Sequence, residues 1–270
     1  MDSTTSPLLT INTGVPQGCV LSPFLYILYT NDCRSISPTT TYLKYSDDTA
    51  ILALLSDSQS ILDYHNTIKH FTESCTAGYL EINVNKTKEI WFTPPSPQHP
   101  IIINTQTVET VDTFKYLGIT LDNKLSFDQH TMDIQKRSQQ RLSAIRKLKG
   151  LHVAPHLLLL LYQSIIQPIL LYCSTCFYTM LSVTNRARLT RITNTAAKII
   201  GLPTPNLTEL NNRSITRLAN TIVQDITHPL NQYIIPLPSG RRYRTTRFRR
   251  ARFGKSLIPA AIAALNSRPR

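Results

Sequence analysis

The chain has 270 residues, 41% of them hydrophobic and 17% charged, which leaves room for one large domain or two small ones and excludes a wholly disordered chain. Five scattered cysteines (Cys19, Cys33, Cys75, Cys173 and Cys176) make no disulfide scaffold, and the opening MDSTTSPLL lacks the basic and apolar regions of a signal peptide, so an intracellular protein, nuclear or cytoplasmic, is expected. Residues 1–133 carry 7 basic and 14 acidic side chains while residues 134–270 carry 22 basic and only 2 acidic, a balance that attracts a polyanion, usually nucleic acid.

Residues 1–13 are polar and read as a loop or an entering strand. Gly14-Val15-Pro16-Gln17-Gly18 is a turn cluster with two of the chain's eight glycines, able to approach a base or sugar closely. Ser22-Pro23 predicts a helix start, with Ser22 as N-cap and Pro23 at the first helical position, followed by the apolar run 24–29. Residues 41–55 predict two short strands around Ser46-Asp47-Asp48, a hairpin. Residues 59–79 place Ile61, Leu62, Ile68, Phe71 and Cys75 at helical spacing. Residues 80–92 are rich in strand formers, four prolines in 94–100 force a loop, and 101–103, 107–111 and 114–121 read as strands.

After Asp122 the pattern turns helical, over about 127–149, 155–173, 184–200, 207–227 and 256–266. Gly150, Gly201 and Pro203, and Pro229 punctuate these helices, and Pro168 should kink the second. The stretch 157–173 reads as a buried helix, too short and too polar to span a membrane, and no membrane partner is expected. The organisation is therefore α+β, with a mixed part over 1–122 and a basic, mainly helical part over 123–270.

Asp47 and Asp48 have two open readings. Asp is common in solvated turns, yet adjacent carboxylates also suit a divalent cation, whose charge relieves their repulsion. Cys173 and Cys176 form a lone CxxC with no second pair, so two buried helix cysteines are the default. Segment 241–252 holds seven arginines interleaved with Tyr243 and Phe248. Arginine forks grip phosphates and aromatic rings stack on bases, so Arg241, Arg242, Tyr243, Arg244, Phe248, Arg249 and Arg250 are candidate nucleic-acid contacts, with a membrane-surface segment, an import signal or a solvated surface as rival readings.

GVPQGCVLSPFLYILYTND resembles the motif B loop and helix of reverse transcriptases of LINE-type retrotransposons. YLKYSDDTAIL resembles their motif C, INVNKTKEIWF their motif D, and FKYLGITLDNKLSF their motif E, the primer-grip hairpin. The resemblance covers about 11–130 in the family's order and extends less specifically into the tail. It implies a partial polymerase palm with a short antiparallel sheet, followed by thumb-like helices. It implies an RNA-directed DNA polymerase acting on an RNA template, a DNA primer and dNTP with Mg2+, and leaves the oligomeric state open. Asp47 would be a catalytic metal ligand with Asp48 beside it, and Lys86 would serve the pyrophosphate leaving group. Gly14, Pro16, Gln17 and Gly18 would shape the nucleotide pocket, and Tyr116, Leu117 and Gly118 would support the primer end. In this family a further aspartate, on the motif A strand, precedes motif B by several tens of residues. Here thirteen residues precede Gly14, and Asp2 has no strand pattern around it. The expectation is a C-terminal polymerase portion, truncated or decayed and without activity alone; the alternative is a non-enzymatic nucleic-acid-binding remnant.

Overall fold

A computed structural model describes residues 14, 18–92, 100–249 and 251–267. The chain divides into two compact units. The first comprises the described residues up to 89 together with 100–110, and the second comprises 90–92 and the described residues from 111 onward. The division falls at 110/111, whereas the composition changes after Asp122.

In the first unit, helix α1 (Ser22–Tyr29) precedes the hairpin of β1 (Thr40–Tyr45) and β2 (Asp48–Ala53) and the long helix α2 (Ser58–Ala77). Ser22 is not the cap: Leu21 holds that position in a helical conformation, with no side-chain bond, and Ser22-Pro23 form the first turn. α2 has a true capping box. The Asp57 carboxylate accepts from the Ser60 N–H at 2.8 Å, and the Ser60 hydroxyl accepts from the Asp57 N–H at 3.1 Å. The strand-rich reading of 80–111 holds only in fragments. Asn83 folds residues 83–87 into a turn. Short strands follow as β3 (Lys88–Glu89), β4 (Ile102–Ile103), β5 (Gln106–Thr107) and β6 (Glu109–Thr110). The expected strand 107–111 breaks at Val108, which is buried with Ile68, Ile101 and Ile103 in a small core. β3 pairs parallel with β6, and β4 pairs antiparallel with β5.

The second unit opens with the hairpin β7 (Thr113–Tyr116) and β8 (Ile119–Asp122). Helix α3 (Asp128–Gly150) follows, then α4 (Pro155–Ile165), α5 (Gln167–Leu171) and α6 (Ser174–Phe177). Residues 155–180 do have the length and hydropathy of a membrane span, contrary to the expectation from sequence. They fold instead as short helices interrupted at Ile166 and Tyr172, and they supply Leu158, Tyr162, Ile166, Leu170 and Phe177 to the core. Pro168, which donates no N–H, sits in the first turn of α5, so the expected kink is a break between helices. Helices α7 (Val183–Ile200) and α8 (Leu207–Gln224) are capped by Ser182 and Asn206. α3 buries Ile134, Ser138, Leu142 and Ile145, and α7 buries Leu189, Ile192, Ala196 and Ile200, one face each. Burying an Ile or Leu side chain fully is worth about 1.5–3 kcal/mol, so this shared core dominates the unit. Helices α9 (Ala251–Gly254) and α10 (Leu257–Asn266) close the chain, α10 packing Ala261 and Ile262 against Ile215, Ala219 and Ile222 of α8.

Candidate functional site

Asp47 and Asp48 stand at the tip of the β1–β2 hairpin, as expected. Tyr45 pairs with Asp48, leaving Ser46 and Asp47 as a two-residue turn, and Asp48 begins β2. Ser46 has φ 54, the left-handed region that strains a side-chain-bearing residue. A two-stranded ribbon is marginal alone, and side chains tie this one to its neighbours. The Lys44 ammonium donates to the carbonyls of Thr30 at 2.5 Å and Cys33 at 2.9 Å. A cation is thereby set on the exposed carbonyls at the end of α1, where the helix dipole favours it. On the other side, the Tyr42 hydroxyl donates to the Thr67 carbonyl at 3.0 Å, and its ring meets Phe71 edge-on at 5.5 Å. The α1 helix is tied in turn to the end of α2, its Tyr29 hydroxyl donating to the Gly78 carbonyl at 2.5 Å.

Tyr26 of α1 feels the aspartate directly. Burial first, and then the negative charge of Asp47, push its phenol above the ordinary value. Helix α1 and the Asp47 carboxylate therefore share one corner. Gly18, with φ +81, leads into that helix from a left-handed conformation open to glycine, and no heavy atom lies within 4 Å of where a Cβ would stand. Gly14 has the same conformation and the same open space. Pro16 and Gln17 lie outside the described residues.

Both carboxylates are exposed, and among the described residues neither accepts a hydrogen bond or joins an ion pair. They are the hard oxygen donors that a divalent cation takes. Among the described residues no group of three His, Cys, Asp or Glu side chains gathers anywhere. The pair therefore fits part of the shell of one cation and falls short of a site for two. Lys86 stands exposed on the Asn83 turn, its backbone N–H donating to the Asn83 side chain at 3.1 Å. Among the described residues, no hydrogen bond or ion pair joins Lys86 to either aspartate.

Tyr116, Leu117 and Gly118 belong to the second unit. Leu117 and Gly118 form the turn of the β7–β8 hairpin, with φ 45 and +82. Two positive φ angles in a two-residue hairpin loop match the strand twist, and glycine suits the second position. The Tyr172 hydroxyl donates to the Leu117 carbonyl at 2.8 Å, and its ring would lie 3.2 Å from a Cβ at Gly118. The base of the hairpin is fixed by Asp122. Burial alone would raise this carboxyl, but the N–H groups of Ser126, Phe127 and Lys124 and the Ser126 hydroxyl outweigh that and lower it. Beside them His130 is buried, its Nδ1 accepting the Thr120 N–H at 3.4 Å and its ring edge-on to Phe177 at 4.8 Å. Burial, with Arg137 next, pulls its pKa down to about 4, so it is neutral at pH 7.

The arginine segment is held by a turn that the sequence pattern did not single out, although Ser239-Gly240 was a legible signal. The Leu237 N–H donates to the Arg242 carbonyl and the Arg244 N–H to Ile235, each at 2.8 Å, around Gly240 at φ 65. Arg241, Arg242, Arg244 and Arg249 are exposed; Arg250 lies outside the described residues. Tyr243 departs from the expected stacking role. Asn266 brackets its backbone, accepting its N–H at 2.8 Å and donating to its carbonyl at 3.0 Å, and its half-buried ring packs on the α8–α10 core. Phe248 keeps 53% of its surface exposed. Among the described residues no arginine stands within 4 Å of a carboxylate, because the ion pairs are Lys69–Glu73 and Lys88–Glu109, both in the first unit.

Residues 3–121 match the family described as reverse transcriptase (RNA-dependent DNA polymerase). Residues 127–168 match the family described as the N-terminal part of alkylated DNA repair protein alkB homolog 8. Among curated proteins, the RNA-directed DNA polymerase from mobile element jockey of Drosophila melanogaster is 30% identical over 64% of this chain and 20% of its own. The jockey polymerase of Drosophila funebris is 27% identical over 74% of this chain and 22% of its own. The probable RNA-directed DNA polymerase from transposon BS of Drosophila melanogaster is 32% identical over 51% and 16%. The chain thus spans about a fifth of the length of the curated relatives it matches. No solved structure matches it.

Proposed function

We infer, for a chain whose residues 3–121 belong to the reverse transcriptases of LINE-type retrotransposons, that it forms the rear palm and thumb-like portion of an RNA-directed DNA polymerase. The single observation that supports this most is the corner where α1 meets the β1–β2 tip, with Lys44 bound to the end of the helix and Tyr26 under the charge of Asp47. That corner ties the helix that follows the glycine-flanked segment to the hairpin that carries the carboxylate pair, and this supports a nucleotidyl-transfer role.

The roles follow from chemistry. Reverse transcriptases use divalent metal ions, and such an ion, when bound, lowers the pKa of an attacking hydroxyl and neutralises a leaving pyrophosphate. Asp47 and Asp48 would hold part of its shell, Mg2+ being the cation this reading favours. Gly14 and Gly18 would let the loop approach the incoming dNTP, and Lys86 would meet the departing pyrophosphate. The Leu117-Gly118 tip, steadied by Tyr172, would carry the primer end. Helix α1 is apolar around its whole circumference, yet Phe24, Ile27 and Leu28 are 58%, 61% and 55% exposed. A helix of that composition belongs in a core, which supports further polymerase structure packing on this face.

Primer extension on a primed RNA template with Mg2+ tests the reading. The chain alone should be inactive. The same chain joined in frame to an upstream polymerase segment carrying the third carboxylate should extend the primer, and Asp47→Asn should abolish that extension. Robust extension by the chain alone, or a joined protein indifferent to Asp47→Asn, would overturn it.

A second reading has its own support. The arginines of the second unit carry no carboxylate partner among the described residues, so this unit would hold nucleic acid without catalysing anything.

A further inference from the structure

A cavity of about 570 Å³ lies wholly in the second unit, where the start of α3, the start of α7 and α9 meet. Arg188, Arg252 and Lys255 line it as cations, with Met132 and Met180 on its apolar wall. Its one carboxylate, Asp128, is engaged: the Asn185 amide donates to it, and the carbonyl end of the same amide accepts from the Arg188 guanidinium at 3.1 Å. Asn185 is almost fully buried, so this relay fixes Arg188 at the cavity wall. The Thr179 hydroxyl donates to the Lys255 carbonyl at 2.5 Å, which pins the end of α9 beside the Tyr178–Met180 turn and holds Lys255 at the rim.

We propose that this cavity is a nucleotide subsite for single-stranded nucleic acid, with a backbone phosphate on Arg188, Arg252 and Lys255 and a base against Met132 and Met180. The volume suits a ligand of nucleotide size. Three cations against one satisfied carboxylate select an anion, and the first turn of α7 adds the positive end of a long helix. Methionine thioethers pack well on aromatic rings without demanding one base, so the subsite accepts any sequence. The proposal rests on the nucleic-acid-holding role assigned above to this unit.

The test uses the full chain and a fluorescein-labelled oligo(dT) 20-mer, with affinity read by fluorescence anisotropy at fixed salt. Arg252→Gln with Lys255→Gln removes two exposed cavity cations. Arg191→Gln with Lys198→Gln removes the same charge from exposed positions on α7 outside the cavity. The cavity pair should weaken binding tenfold or more, and the control pair about twofold. Met132→Ala with Met180→Ala should weaken oligo(dT) binding about tenfold and leave binding of inorganic polyphosphate, which has no bases, within twofold. Circular dichroism melts of each variant check that the fold is kept. Equal losses in the cavity and control pairs, with the parent binding normally, would overturn the subsite and leave the broader role standing. A parent that binds no oligo(dT) at all would overturn both. Methionine variants that lose oligo(dT) and polyphosphate alike would overturn the base contact.

Discussion

Gly118→Ala probes the best-defined turn in the second unit. The alanine would keep φ near +82, a left-handed conformation that costs an L-residue about 1–2 kcal/mol. Its Cβ would also meet the Tyr172 ring at 3.2 Å, tighter than ordinary contact. The ring cannot yield freely, because its hydroxyl holds the Leu117 carbonyl at 2.8 Å. Displacing it weakens a hydrogen bond worth about 0.5–1.5 kcal/mol. The expected loss is therefore about 2–3 kcal/mol, measured by denaturant unfolding of the full chain with a probe of the helical unit. At roughly 2–4 °C per kcal/mol for a unit of this size, the melting midpoint should fall by about 4–12 °C. In a Tyr172→Ala background the ring contact is gone, and the same substitution should cost only the conformational part, about 1–2 kcal/mol. If Gly118→Ala were neutral, or its cost were the same with and without Tyr172, the steric argument for the tip would be wrong.

Buried His130 should make the second unit pH-sensitive. Its pKa, lowered from 6.5 to about 4 in the fold, means the unfolded chain takes up a proton first. Stability should therefore be level above pH 6.5 and fall by up to about 1.4 kcal/mol per pH unit toward pH 4, and His130→Gln should flatten that slope in urea titrations at pH 5 and 7. Asp122→Ala removes the acceptor of three backbone N–H groups, so a loss of about 1.5–3 kcal/mol is expected at pH 7. Because this carboxyl is lowered in the fold, its contribution should persist down to about pH 4 and fade below, which acid unfolding of parent and variant would reveal. Changing Arg241, Arg242, Arg244 and Arg249 together to Ala should flatten the log–log salt dependence of oligonucleotide binding by roughly 3, taking ~0.7–0.9 per phosphate contact. Tyr243→Ala should lower the melting midpoint with little effect on binding, since its ring packs on the α8–α10 core, whereas Phe248→Ala should weaken single-strand binding by about 1–3 kcal/mol.

Much of this protein is legible in its sequence because the chemistry involved is local. The Asp47-Asp48 tip follows from turn formers between two runs of strand formers, and the helices after Asp122 follow from apolar residues at helical spacing, because both patterns act over a few residues. The charge division is visible for a related reason, since formal charge does not depend on folding.

What the sequence could not decide were relations between distant residues. Nothing near Tyr172 shows that its hydroxyl serves the carbonyl of Leu117, 55 positions away, and nothing near Lys44 shows that it caps the end of α1. The expected strand 107–111 is split because Val108 turns into a small core with Ile68 of α2, Ile101 and Ile103. The apolar run 155–180 has the composition of a membrane span. It folds as broken core helices because Pro168 interrupts it and the buried faces of α3 and α7 receive its side chains. The same physics reassigned Tyr243: in the sequence its ring alternates with arginines like a stacking platform, but Asn266, brought in by α10, holds that backbone against the core. Sequence pattern sets which groups are available, and packing, by burying some of them, decides which remain free to meet a ligand.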